Sequence, residues 1–278
     1  MSDYESTFFV CSVEDGIAHI EMNRPDKANS MSPDFWEDLP RLLDDMDHNP
    51  DIRAIVLSGR GKHFTGGMDL AAFQGIMELT QKEPARGAYA LRRLILKLQD
   101  SLTSLERVRV PVIAAIHGVC LGGGIDLISA CDIRLCTKDA SFGVEEIHVG
   151  MTADVGTLQR LPKIMPPGIV RELTYTGRRF SADEAKDWGL VNSVHKDRDA
   201  VLDAAKALAG DIAAKSPLAV AGAKQAITYA RDHSVQDGLD QIATWNAGML
   251  RPDDLMKAMQ AKMAKKQTEY DDLLKDVS

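Results

Sequence analysis

The sequence predicts an α/β fold with a helical C-terminal region. Three observations carry this: apolar strand-like runs at 53–57 and 110–116 alternate with segments of helical spacing, glycines stand at strand-to-helix junctions, and from Ala200 onward nearly everything is helical in pattern and rich in Ala, Lys and Met. A chain of 278 residues with 45% hydrophobic content can bury one large core. The organisation expected is a core at 1–199 followed by a helical region at 200–278.

Each element has a local cause. Strands are expected at 8–13 and 17–22, with Asp15-Gly16 between them as a hairpin turn. Helical spacing covers 33–46, where Ser32 is the N-cap, Pro33 takes the first helical position and Pro40 is placed to kink the helix. The later strands and helices alternate as right-handed α/β connections do. Leu91, Leu94, Ile95 and Leu98 mark a long amphipathic helix over 85–105, preceded by a segment at 73–84 expected to be mobile. Ser181 and Glu184 have capping-box spacing. In the tail, Ile227, Leu239, Ile242, Trp245, Met249 and Leu250 exceed what isolated helices need, so burial against the core or another subunit is expected.

Composition excludes several function classes. A formal charge of -8 argues against general nucleic-acid binding, which leaves a basic footprint. Cys11, Cys120, Cys131 and Cys136 show no CxxC spacing and the histidines are scattered, so no zinc site or disulfide framework is indicated. No apolar run approaches ~18 residues, which argues against membrane spanning. No charged-then-apolar signal pattern opens the sequence, it does not end in Ser-Lys-Leu, and Asp3 and Glu5 appear at once where a transit peptide is acid-poor, so neither secretion nor organellar targeting is expected. A cytoplasmic location is the resulting expectation.

The chemistry concentrates in 117–161. Gly122, Gly123 and Gly124 lie between the apolar run 110–116 and a helix-like run at 125–131, so backbone N–H groups can approach a ligand at a helix N-terminus. Three carboxylates follow, Asp126, Glu146 and Asp154. Held in apolar surroundings they are costly unless paired, hydrogen-bonded or protonated. The bland alternative is that Asp126 serves local helix electrostatics while Glu146 and Asp154 are solvated loop groups. A second junction, AIVLSGRGKHFTGGMDL at 54–70, repeats the strand-glycine-helix pattern. Two such junctions can each supply one N–H to a single oxyanion.

NRPDKANSM at 23–31, FTGGMDL at 64–70, GVCLGGGIDL at 118–127 and FGVEEIHVG at 142–150 together make the chain resemble the crotonase (enoyl-CoA hydratase/isomerase) superfamily. The resemblance implies a crotonase fold with a repeated ββα core and a C-terminal helical trimerisation region. It also implies a homotrimer or dimer of trimers and an acyl-CoA thioester substrate, with CoA part of the substrate and no separate cofactor. It assigns an oxyanion hole to the backbone N–H groups of Met68 and Gly123. For CoA it points to the cations Arg24, Lys27 and Lys62, to backbone around Ala28 and Gly66, and to Lys265 reaching from a neighbouring subunit. Each of these lysines and Arg24 has a solvated surface charge as its alternative.

The carboxylates narrow the resemblance. Hydratases of the superfamily carry glutamates at the positions matching Asp126 and Glu146, and a small residue where Asp154 stands. GGGIDLISACDIR, Glu146 and ADVGTLQRLPK instead resemble the 3,5-dienoyl-CoA to 2,4-dienoyl-CoA isomerases, in which three acids line the pocket. Moving two conjugated double bonds requires a proton to leave C2 and another to arrive at C6, and one carboxylate cannot easily serve both ends. Glu146 and Asp154 are therefore the expected acid/base pair, with one pKa raised by burial and mutual repulsion and with Asp126 orienting or tuning Glu146. Glu145 is expected to face away and His148 to be structural. A hydratase or other crotonase reaction, and a noncatalytic acyl-CoA-binding protein, remain the alternatives.

Overall fold

The computed structural model describes residues 4–69, 75, 78 and 83–274. Strands β1 (Phe9–Glu14) and β2 (Ile17–Met22) pair antiparallel through Asp15 and Gly16, whose φ values of 50° and 75° suit a tight hairpin turn. Strands β3 (Ala54–Gly59) and β4 (Val112–Ile116) are buried at every residue, as expected for parallel strands covered on both faces. A short β5 (Val119–Leu121) leaves the main sheet, and β6 (Ile133–Thr137) returns to it. After β7 (Ser141–Gly143) and β8 (Phe180–Ser181), β9 (Ser193–His195) completes a six-stranded sheet of order β1-β2-β3-β4-β6-β9. Strands β5, β7 and β8 form a separate three-stranded sheet. The strand that enters the triple glycine is thus β5 of the small sheet, because the chain turns at Gly118 (φ 57°) after β4.

Helices cover both faces of the main sheet. Helix α1 (Pro33–Asp47) runs through Pro40 and buries Phe35, Trp36, Leu39, Leu42, Leu43 and Met46; Ser32 holds the extended N-cap conformation, although its side chain makes no capping bond. Helix α2 (Pro84–Arg107) packs on α1 and is capped by the Glu83 carboxylate, which accepts from Ala85 and Arg86 N–H. Of the segment expected to be mobile, only 75, 78, 83 and 84 lie within the described residues. Helices α3 (Gly123–Ala130), α4 (Thr157–Ile164), α5 (Pro167–Thr176) and α6 (Ala182–Asp187) follow, the last with the expected capping box at Ser181 and Glu184.

Helix α7 (Arg198–Ala213) lies back on the sheet. Its Val201, Ala205 and Ala209 pack against Ala54, Val56, Ile113, Ala115 and Leu135, while the alternate residues Ile55, Leu57, Val112 and Ala114 face the main core. This is the two-residue period of a strand with both faces covered. Helices α8 (Pro217–Asp232), α9 (Val235–Met249) and α10 (Pro252–Ala264) complete the C-terminal region. The buried Lys224 ammonium fastens α8 to the core by donating to Leu105 O and Val110 O and pairing with Asp132 at 2.8 Å. The four cysteines are free and buried. Among the described residues no helix is long and apolar enough to cross a membrane, and no cluster of side chains suits a metal ion.

Candidate active site

Two loops meet where the glycine junctions converge. Asn29, fully buried and left-handed (φ 51°), donates from Nδ2 to Arg60 O and His63 O and accepts from Arg24 N–H, so it locks the 23–31 segment onto the 60–67 segment. Its only trace in the sequence is that asparagine tolerates this backbone conformation better than most residues. Met31 N–H then donates to Gly67 O, and Asp69 N–H to Met31 O. That parallel bridge turns the intervening Met68 N–H the other way.

The other side is the start of α3. Gly123 is its first residue, and such N–H groups have no acceptor within the helix. Gly67 has φ 92°, and a Cβ there would stand 2.7 Å from Leu121 O and 3.5 Å from Gly123 N. Met68 N in turn lies 3.8 Å from where a Cβ of Gly123 would be. The N–H groups of Met68 and Gly123 are therefore neighbours, brought together because residue 67 has no side chain.

Three carboxylates gather beside them. Asp126, 1% exposed on the first turn of α3, accepts Thr157 N–H on Oδ1 at 2.6 Å. Burial pushes its pKa up to about 6, with the Asp154 charge adding and the Thr157 hydrogen bonding opposing. Glu146 opens a 3-10 turn, Glu146–Val149. Its Oε2 is buried without a hydrogen-bond partner among the described residues, and its pKa is pushed up to about 7 by burial and then by the Asp126 charge. Asp154 is half-buried, and burial raises its pKa above the ordinary aspartate value. Glu146 is thus not a solvated loop group and Asp154 is only half-exposed, while Asp126 does sit at a helix start but is buried there and bonded to Thr157.

The remaining candidates separate. The segment after β7 is a turn rather than an alternating strand, yet Glu145 still leaves the site, drawn to Arg179 at 2.8 Å. His148 donates from Nε2 to Gly177 O. Arg24 pairs with Asp69 and donates to Ser30 O and Oγ, so its guanidinium fastens the two loops to each other. Lys27 and Lys62 are exposed. Ala28 is left-handed (φ 49°), and its carbonyl accepts Gly66 N–H at 2.8 Å, which commits that donor within the protein. Lys265 is exposed in a left-handed conformation (φ 51°) at the end of α10.

The sequence profile of the enoyl-CoA hydratase/isomerase family matches residues 12–273. The chain belongs to the enoyl-CoA hydratase/isomerase family. Members of this family act on acyl-CoA thioesters and are usually oligomers. This enoyl-CoA hydratase/isomerase family chain is 49% identical to the mitochondrial Delta(3,5)-Delta(2,4)-dienoyl-CoA isomerase of Mus musculus, over 96% of this chain and 82% of that protein. It is 44% identical to the peroxisomal enzyme of that name from Arabidopsis thaliana, over 93% and 94% of the two chains. Among solved structures, an enoyl-CoA hydratase from Bacillus anthracis superposes with a TM-score of 0.86 at 31% identity, covering 95% of this chain and 99% of that one. The architecture is accordingly the crotonase fold. The cytoplasmic expectation is overturned, because the similar isomerases are named mitochondrial or peroxisomal. It rested on the terminal residues of the sequence, which do not decide the compartment.

Proposed function

We propose that this enzyme shifts the double bonds of 3,5-dienoyl-CoA to give 2,4-dienoyl-CoA. The observation that carries the reading is the convergence of three acids of raised pKa beside two adjacent N–H groups, in a chain 44–49% identical to proteins named for this reaction. The thioester oxygen is held by Met68 N–H and Gly123 N–H. When a carboxylate removes the C2 proton, the electron pair of that C–H bond forms a C1=C2 double bond and the carbonyl π pair moves onto this oxygen. The result is an enolate conjugated with the diene, and the two fixed donors stabilise the charge on the oxygen. A second carboxyl group then delivers a proton to C6, and the double bonds settle at C2 and C4.

Glu146 and Asp154 form the acid/base pair, one serving C2 and the other C6. The reaction needs one of them ionised and the other protonated, which raised pKa values make available near neutral pH. Asp126 acts on Glu146 through its charge. The proton shift leaves oxidation state unchanged, and CoA enters as part of the substrate. Lys27, Lys62 and the backbone carbonyl oxygens of Ala28 and Gly66 hold the CoA moiety, with Lys265 reaching it from a neighbouring subunit of a trimer or dimer of trimers. The exposed apolar side chains Ile227, Val235, Leu239, Leu250 and Met263 support such an assembly.

A hydratase would need the first acid to hold water. Asp126 is poorly suited, being 1% exposed with Oδ1 already taken by Thr157 N–H. A noncatalytic binding protein would gain nothing from burying the Glu146 carboxyl group at this cost. The deciding experiment offers 3,5-dienoyl-CoA and 2-enoyl-CoA to one preparation. Growth of 2,4-dienoyl absorbance with a persistent enoyl band is expected; loss of the enoyl band without diene isomerisation would establish the hydratase instead.

A further inference from the structure

The turn at 154–157 carries one of the three acids and orients another, and it is held from behind by polar groups. Asp154 O accepts from Gln99 Nε2 at 2.6 Å, Val155 O accepts from Arg160 Nη1 at 3.4 Å, and Thr157 N–H meets Asp126. Gly156 has φ 139°, and a Cβ there would lie 1.8 Å from Arg160 Nη1, so the guanidinium rests directly against the backbone of the turn. Arg160 is itself clamped by both oxygens of Glu106, at 3.0 and 3.1 Å, and by Thr103 Oγ1 at 3.0 Å. Gln99, Thr103 and Glu106 follow one another at helical spacing and form a single stripe of α2.

What lies behind the turn makes these bonds decisive. A pocket of about 300 Å³, lined by Gln99, Thr103, Val155, Gly156 and Arg160 among others, opens beside the turn. The buried Val155 side chain anchors the turn on the inner side. On the outer side its position is set by hydrogen bonds, and the one nearest the acid comes from Gln99.

We propose that Gln99 is a positioning residue for Asp154: by gripping the Asp154 carbonyl it fixes where that side chain's carboxyl group meets the substrate. The inference rests on the isomerase reading above, with Asp154 in the proton path. Gln99 acts through the backbone of the turn and has no role in binding CoA or the thioester.

Two variants test it. Gln99→Met keeps the length and removes the donor, and Gln99→Glu keeps the shape but sets an acceptor against the Asp154 carbonyl. For Gln99→Met, kcat of dienoyl isomerisation should fall about tenfold, less than the ~10²-fold that a misplacement of about 1 Å can cost. KM and the melting temperature should stay near the wild-type values, and Gln99→Glu should lose at least as much kcat. Adding Gln99→Met to Asp154→Asn should cause no further fall, because the effect passes through Asp154. Wild-type kcat in both single variants, or a second tenfold loss in the double variant, would overturn the proposal. An Asp154→Asn enzyme that isomerises normally would instead bring down the reading of Asp154 on which it rests.

Discussion

Glu146 Oε1 lies 3.3 Å from the point that a Cβ on Gly122 would occupy, so the first glycine of the triple run forms the floor under this acid. The same residue sits at φ 49° and ψ -118°, a conformation that residues with side chains rarely adopt. The acid and the turn that opens α3 are therefore fitted to each other.

Gly122→Ala should consequently do two things at once. Backbone strain should lower stability by about 1–3 kcal/mol, and the new methyl group should displace Glu146 and reduce isomerisation. Denaturant unfolding and turnover on the same preparation check this. A variant as stable and active as the parent would show that the floor yields freely.

Glu146→Gln should alter how stability depends on pH. Burial raises the folded-state pKa of Glu146 from 4.5 to about 7, so the unfolded chain releases this proton at lower pH than the folded one. The group's contribution is fully present below pH 4.5 and is lost as pH rises through about 7. The glutamine variant lacks that loss, and its stability relative to the parent should rise with pH over this window by on the order of 2 to 3 kcal/mol. Unfolding measured at about pH 4.5 and about pH 8, at fixed protein concentration, gives the comparison; an unchanged difference would mean that Glu146 is not buried as a charge.

Asp154→Asn keeps the size of the side chain and removes its proton. Dienoyl isomerisation should fall by on the order of 10² or more, the usual contribution of general acid/base catalysis, with CoA-ester binding little changed because the proposed oxyanion donors are backbone groups. In heavy water, either this variant or Glu146→Gln should return unisomerised substrate labelled at C2, and the other should not. Equal C2 exchange in both variants would move the base to Asp126.

Glu106 bridges Arg160 and Arg231, joining α2, α4 and α8, with only 11% of its side chain exposed. Glu106→Gln leaves two guanidinium groups without their shared anion and should cost about 3–5 kcal/mol. Arg231→Gln should cost less, since Arg231 is 30% exposed and the Glu106–Arg160 pair survives. Equilibrium unfolding in denaturant ranks the two, and the reverse order would show that the tie to α8 matters more than the tie to α4.

Light scattering should report a mass of three or six chains. Leu239→Glu and Met259→Glu, at side chains 58% and 54% exposed, should shift it toward smaller species while leaving the fold intact. Deleting 201–278 should give insoluble protein, because it strips α7 from Ala54, Val56, Ile113, Ala115 and Leu135. A full-length monomer at micromolar concentration would remove the basis for an interface on these helices.

The sequence by itself determined the elements whose causes are local. The β1–β2 hairpin follows from alternation and Asp15-Gly16, α6 from the Ser181 capping box, and the two glycine junctions from their own composition, because these signals relate residues only a few positions apart. The tertiary structure alone decided which candidates meet. Gly67 and Gly123 touch although 56 positions separate them, Arg24 is spent on Asp69, Asn29 clamps a distant loop, and Gln99 reaches the Asp154 backbone from another helix. The environment of each acid was decided there too. Burial depends on segments far apart in the chain closing over a group, and this closure takes Glu146 from an ordinary surface carboxylate to one with a pKa of about 7.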